Sequence, residues 1–274
     1  MSLEHSYRDI AERSARRGAL DGQPLTPPDP YAMPSALLCW WVLTGQGLRL
    51  AEALMAAPRG KPSPLSIRGH AGGRFVKRVL DIIVAAATLV VLAPILLATA
   101  LLIAVSLGRP VLFAHERVGR KGHRFRCFKF RTMVTDAEAR LAEVLARDPA
   151  LAAEWQETRK LRNDPRVTRL GLVLRRTSID ELPQLLNVLR GDMSCVGPRP
   201  VTADELGRYG DAAEAYLAAR PGLTGLWQVS GRSALSYQAR VALDGLYAAR
   251  RSLLLDIVIL LRTIPALFRT QESA

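Results

Sequence analysis

Residues 82–108 read IIVAAATLVVLAPILLATALLIAVSLG, a stretch of 27 residues without one charge. About 18 uncharged apolar residues already favour burial in a membrane, and that length speaks against the alternative of a buried core helix. The stretch starts beyond residue 80 and no small-residue cleavage pattern follows, so it does not read as a signal peptide. Pro94 divides it into halves of about 18–21 Å as helix, each short of a ~30 Å hydrocarbon core. The whole, taken straight, is long enough to cross. Its flanks argue otherwise: Arg74, Lys77 and Arg78 precede it, and Arg109, Arg117, Arg120 and Lys121 follow. Positive charge stays on the cytoplasmic side, so both ends ask for the same side. A helix broken at Pro94 that dips in and returns meets that demand; a kinked spanning helix is the other form open to the pattern.

Elsewhere the periods are shorter. Residues 111–118 and 124–131 are aromatic or β-branched runs about a turn at Gly119 to Gly122, which predicts a hairpin. Phe125 and Cys127 alternate with Arg124 and Arg126, and Lys129 stands between Phe128 and Phe130. Residues 135–161 read as helix interrupted near Pro149, with Leu141, Val144, Leu145 and Leu151 on an apolar stripe. The apolar C-terminal stretch from Leu253 to Phe268 is punctuated by Asp256, Arg262 and Pro265, which suits an interfacial or packed amphipathic helix. Residues 1–73 differ in kind. They hold eight of the 17 prolines and one short apolar run, ALLCWWVL, too short to span. They predict a loosely ordered extension with one docking helix, and Trp40 and Trp41 suit a membrane interface.

Composition narrows the partners. Lys and Arg number 38 against 25 Asp and Glu, a net charge of +13, which favours nucleic acid, an anionic membrane surface or phosphorylated substrates. The charge is scattered and no helix-turn-helix, zinc or RNP-like motif appears, which argues against nucleic acid. A 49% hydrophobic content excludes a wholly disordered chain. Cys39, Cys127 and Cys195 are far apart and odd in number, so a disulfide scaffold is excluded; the four histidines show no metal spacing.

The densest chemistry is LRRTSIDELPQLLNVLRGDMSCVGPRP at 174–200. Leu182, Leu185, Leu186 and Leu189 are spaced for one helix face that Gly191 ends. Ser178 and Glu181 form an S-x-x-E capping box, and Asp180 is itself a candidate N-cap, so plain capping explains both acids. Chemistry explains them equally well. Two ionised carboxylates at a helix N-terminus, beside Arg175, Arg176 and the proline-flanked Arg199, suit attack on phosphorus or a hold on Mg²⁺. A second Gly-Pro corner, RPGLTGLWQVSGR, follows at 220–232. Its Trp227 offers a face for a nucleobase or for packing, packing being the commoner role.

These motifs together resemble the bacterial monotopic phosphoglycosyl transferases, also called bacterial sugar transferases. The matching pieces are KRVLDIIVA at 77–85, FKFRTM at 128–133, the segment 175–200, the segment 220–232 and LDGLY at 243–247. The likeness covers about 74–268 and leaves 1–73 outside. The resemblance implies an α+β, mainly helical fold: a re-entrant membrane helix-break-helix over 74–110, then a small cytoplasmic catalytic domain over 111–270 with a short β-hairpin and interfacial amphipathic helices. It implies transfer of a sugar-1-phosphate from a UDP-sugar to polyprenol (undecaprenyl) phosphate with release of UMP. The setting is the cytoplasmic leaflet of the bacterial inner membrane, at the first membrane step of exopolysaccharide or other glycoconjugate synthesis. The family's Asp-Glu dyad falls on Asp180 and Glu181, with Asp180 the nucleophile and the pair carrying Mg²⁺. Lys129, Arg199 and Arg220 become candidate phosphate contacts, and Trp227, Pro198 and Pro200 a candidate nucleotide pocket. The family commonly breaks its membrane helix at Ser-Pro; here the pair is Ala93 and Pro94, so one side-chain hydrogen bond is missing. The rival reading is a non-catalytic membrane scaffold of a polysaccharide assembly complex, with both acids as caps.

Overall fold

The computed structural model describes residues 35–44, 71–158, 161, 163–232 and 235–268. The expectation of a loose extension falls mostly outside these residues. Within it, α1 (Ser35–Leu43) is the short apolar run, with Trp41, Leu38 and Val42 buried in the main core rather than facing lipid.

The apolar stretch forms α2 (Ala71–Ser106), one helix of 36 residues that runs through Pro94. Two helices about a break were expected, and the helix is instead continuous. Proline removes one backbone bond, but in an apolar stretch the neighbouring groups find no better partner than the helix. Both ends of α2 are held by the same domain. Near its start, Asp81 accepts from the Ser194 hydroxyl and the Cys195 amide, both at 3.0 Å, and Arg78 donates to the Val188 and Leu189 carbonyls. Near its end, Ile103 is buried with Phe130 and Leu174. Arg131 then donates to the Leu107, Gly108 and Arg109 carbonyls, fastening the chain just beyond the helix end. Between these anchors the apolar side chains face outward; Val90 is 74% exposed.

The hairpin is β1 (Leu112–Val118) against β2 (Arg124–Phe130), antiparallel about a 3₁₀ turn at Arg120–Gly122. Phe125, Cys127 and Phe130 point into the core. The predicted interrupted helix is α3 (Ala137–Arg147) and α4 (Pro149–Thr158), which pack on each other with the Leu141 to Leu151 stripe half-buried.

The rest of the domain is α5 (Arg169–Arg176), a 3₁₀ turn (Ile179–Glu181), α6 (Gln184–Arg190), β3 (Ser194–Val196), α7 (Ala203–Gly207) and α8 (Ala212–Ala218). There follow β4 (Gly222–Thr224), α9 (Leu226–Ser230), α10 (Tyr237–Arg250) and α11 (Leu253–Phe268). Strands β3 and β4 pair in parallel. A Cβ on Gly222 would stand 2.0 Å from the Gly197 amide nitrogen, so only glycine lets the two Gly-Pro corners close on each other. Helix α6 buries Gln184, Leu185, Asn187 and Val188, whereas Leu186 is exposed. The all-leucine face predicted from spacing is therefore rotated, because Asn187 has backbone partners to satisfy inside. Helix α11 buries Leu255, Val258 and Ile259 and leaves Leu254, Leu261 and Ile264 exposed. It is apolar on two sides, as a helix packed beneath a lipid surface should be.

Candidate active site

Asp180 and Glu181 stand in the tight turn between α5 and α6. Ser178 enters it with φ of 57°, and its side chain forms no capping bond; neither does the residue preceding α6, Pro183. The capping box lies elsewhere, at Thr202 and Glu205 on α7. With capping removed, the acids are free for other partners. Lys129 reaches across from β2 and donates to Glu181 Oε1 at 2.5 Å. The register that brings it there is set by Asn187, fully buried on α6. Its Oδ1 accepts from the Phe128 amide at 3.0 Å and its Nδ2 donates to the Arg126 carbonyl at 2.8 Å. Behind the turn, Arg175 donates to Thr132 Oγ1 at 3.0 Å.

The two carboxyls are driven apart electrostatically. Asp180 is only 7% exposed. Burial pushes it up to about 6; Glu181 adds to the rise, and Lys129 and Arg175 oppose it. Burial also acts to raise Glu181, but Lys129, then Arg199 and Arg232, outweigh it and hold Glu181 below the usual glutamate range. One carboxyl is thus a committed anion. The other is a desolvated carboxylate that ionises just below neutrality and has few hydrogen bonds to give up on attack.

The Arg199 guanidinium lies over the Trp227 ring at 5.8 Å, and that of Arg240 at 5.2 Å. Trp227 is buried in the main core, so packing is the role the structure displays, with two cations already on its ring. Pro198 is tied by its carbonyl to the Gly222 amide at 2.8 Å, which fixes the corner carrying Arg199 and Pro200. Two contributors were not singled out from sequence. Asp244 on α10 is 1% exposed, accepts from Tyr209 at 3.0 Å and from the Arg199 amide at 3.4 Å, and is pushed up to about 7 by burial. An acid on the buried face of an amphipathic helix was the signal for it. Arg232, with φ of 49°, donates to the Ala266 carbonyl at 2.7 Å and to Ser178 Oγ at 3.5 Å, bridging α11 to the turn that holds the acids. Lys129, Asp180, Glu181, Arg199 and Arg232 thus converge. Arg220 does not join them: its side chain lines a separate pocket with Arg74 and Lys77 of α2.

Among the described residues no three His, Cys, Asp or Glu side chains cluster as a self-sufficient metal cage. Mg²⁺ needs no such cage, since it is commonly held by one or two carboxylates together with substrate phosphates. Two adjacent carboxyls, one raised chiefly by burial and further by the charge of the other, are a donor set that fits it.

Comparison with known proteins bears on the whole arrangement. The family described as bacterial sugar transferase matches residues 72–270. The chain belongs to the bacterial sugar transferases. Among similar proteins of this family is the exopolysaccharide production protein ExoY of Sinorhizobium fredii, 51% identical over 201 residues that make up 73% of this chain and 89% of that protein. Another is the undecaprenyl-phosphate galactose phosphotransferase of Salmonella typhimurium, 47% identical over 72% of this chain but only 41% of its own length. A third is the UDP-glucose:undecaprenyl-phosphate glucose-1-phosphate transferase of Caulobacter vibrioides, 42% identical over 72% of this chain and 71% of that protein. The matched region of this sugar transferase takes in α2 and all the residues around the dyad, and leaves α1 outside.

Proposed function

We propose that this chain transfers a sugar-1-phosphate from a UDP-sugar to undecaprenyl phosphate, releasing UMP, at the cytoplasmic face of the bacterial inner membrane. The observation that carries the reading is a buried Asp180 beside the Lys129–Glu181 pair, on the very domain to which both ends of an apolar helix are fastened. In the first step an Asp180 carboxylate oxygen attacks the phosphorus bearing the sugar, the phosphoanhydride bond breaks, and UMP departs. In the second, an oxygen of the polyprenol phosphate attacks that phosphorus and Asp180 is released as carboxylate. Lys129 and Arg199 take up phosphate charge, and the two prolines stiffen the backbone that aims Arg199. Glu181 stays ionised throughout. Asp180 and Glu181 would hold Mg²⁺, which when bound neutralises charge on the diphosphate and the leaving nucleotide. The galactose and glucose named in two relatives make UDP-galactose and UDP-glucose the first donors to try. The test is UMP release on incubation with a panel of UDP-sugars, Mg²⁺ and undecaprenyl phosphate; silence across the panel with a folded protein overturns the reading.

The same reading includes a bend of the continuous α2 at Pro94, by which the helix enters and leaves by one face. Asp81 and Ile103 stand 22 residues apart, about 33 Å along a straight helix, close to the thickness of a hydrocarbon core. Both nevertheless contact one domain, which cannot lie on two sides of a bilayer. The acceptor's phosphate lies at the headgroup level, and an enzyme half-sunk from that side meets it there. We expect Gly73→Cys and Phe113→Cys, both at exposed positions, to react with an impermeant thiol reagent only once the cytoplasmic side is opened; the native cysteines are buried. Labelling from opposite faces overturns this topology.

A further inference from the structure

The pocket that claims Arg220 stands apart from the dyad. Arg74, Lys77, Arg120, Arg220 and Arg251 all line it, at the start of α2. Among the described residues, Arg74, Arg120 and Arg220 form no ion pair, and the acids nearest the pocket are engaged by other groups. Asp256 is engaged by Lys77 at 2.7 Å and by the Tyr247 hydroxyl at 2.6 Å, and Asp81 by Ser194 and the Cys195 amide. The Arg120 Nε is buried without a hydrogen-bond partner. Burial depresses the Arg220 guanidinium, and Arg78 and Arg120 add to this with only Asp81 opposing. Gathering like charges in a partly desolvated space is unfavourable unless an anion completes it. The position indicates which anion. Phe75, Val76 and Val79, in the same turns of α2 as Arg74 and Lys77, are exposed apolar side chains, so the pocket lies beside the stretch that meets lipid.

We propose that this pocket binds a phosphate-class oxyanion, and that its position beside the lipid-facing turns favours the phosphodiester of an anionic phospholipid headgroup. Neither Lys129, Asp180, Glu181 nor Arg199 lines it, so it is a site apart from the transfer centre. A headgroup held there would pin the first turns of α2 to the α10–α11 junction and set the height of the domain on the membrane. Juxtamembrane cations are suited to this, each strengthening attraction to anionic lipid by a factor of roughly five.

The test uses the full chain in non-ionic detergent, with thermal midpoint followed against dihexanoyl-phosphatidylglycerol, dihexanoyl-phosphatidylcholine and inorganic phosphate. Phosphatidylglycerol should raise the midpoint saturably and phosphatidylcholine should do little. The double variant R74Q/R120Q should weaken the apparent affinity for phosphatidylglycerol about 30-fold, the product of two such factors. K129M, at the other site, should leave it unchanged. A response to inorganic phosphate alone, lost in R74Q/R120Q, supports the same pocket with a free anion as its occupant. The proposal is overturned by equal responses in wild type and R74Q/R120Q, by a phosphatidylcholine response as strong as that to phosphatidylglycerol, or by no response to either anion. R120Q alone serves if the double variant is unstable, and unchanged affinity there overturns the proposal too.

Discussion

Asp180→Asn should abolish transfer and, above pH 6, yield a more stable protein than the wild type. The loss of activity follows from removing the nucleophile, and should be on the order of 10⁴-fold or more in kcat. The gain in stability follows from what burial does to this carboxyl. Its folded-state pKa, about 6, lies above the ordinary 3.8. A group raised in this way contributes its full stability below about pH 4 and loses it as pH climbs through 6, where the folded state must carry a desolvated charge. Asparagine never ionises. The advantage of the variant should therefore be near zero at pH 4, grow between pH 4 and 6, and level off above pH 7 at about 1–3 kcal/mol. Denaturant unfolding in detergent across that range, beside a UMP-release assay, checks both halves. Parallel pH profiles for the two proteins would remove the desolvated nucleophile, and near-normal turnover would remove the nucleophile altogether.

The second large effect is expected at Asp81, which never touches the dyad. It lies ten residues into α2, just before the uncharged stretch, is almost wholly buried, and receives the Ser194 hydroxyl and the Cys195 amide while Lys77 stands 3.9 Å away. Asp81→Ala leaves the buried Cys195 amide without an acceptor, leaves the Ser194 hydroxyl only the Val196 carbonyl, and removes a counter-charge from Lys77. That should cost about 3 kcal/mol and loosen α2 from β3, with a fall in activity that tracks the loss of folded protein. Asp81→Asn keeps an acceptor oxygen and should lose about 1 kcal/mol. Limited proteolysis within residues 107–111 and denaturant midpoints measure the difference. An alanine variant as stable as the asparagine one would show that this contact does not hold the helix to the domain.

Much of the scaffold was legible locally. The hairpin followed from two aromatic and β-branched runs about a glycine turn, and the structure places it within a residue of the expected limits. The α3–α4 interruption followed from Pro149. Gly191, with φ of 93°, ends α6 where its sequence position said it should. The errors share one cause. Leu186 was counted into a buried face because spacing treats every leucine alike, whereas Asn187, with two backbone partners on β2, turns that face inward instead. Pro94 was read as a break, and the continuous helix shows that a lost hydrogen bond counts for less where no competing partner is at hand.

The sequence by itself determined the apolar helix, the hairpin, two adjacent acids just before a helix and the excess of positive charge. Each depends on neighbours a few residues away, on side-chain period, turn chemistry or the length of an uncharged run. Only the tertiary structure decided that Asp180 is desolvated while Glu181 is held ionised by Lys129, that neither is spent on capping, and that Arg220 serves a different pocket from Arg199. Those outcomes rest on contacts between residues 50 to 180 positions apart, such as Lys129 with Glu181 and Lys77 with Asp256. Burial and Coulomb attraction are set by distance in space, and the order of residues along the chain does not carry that distance.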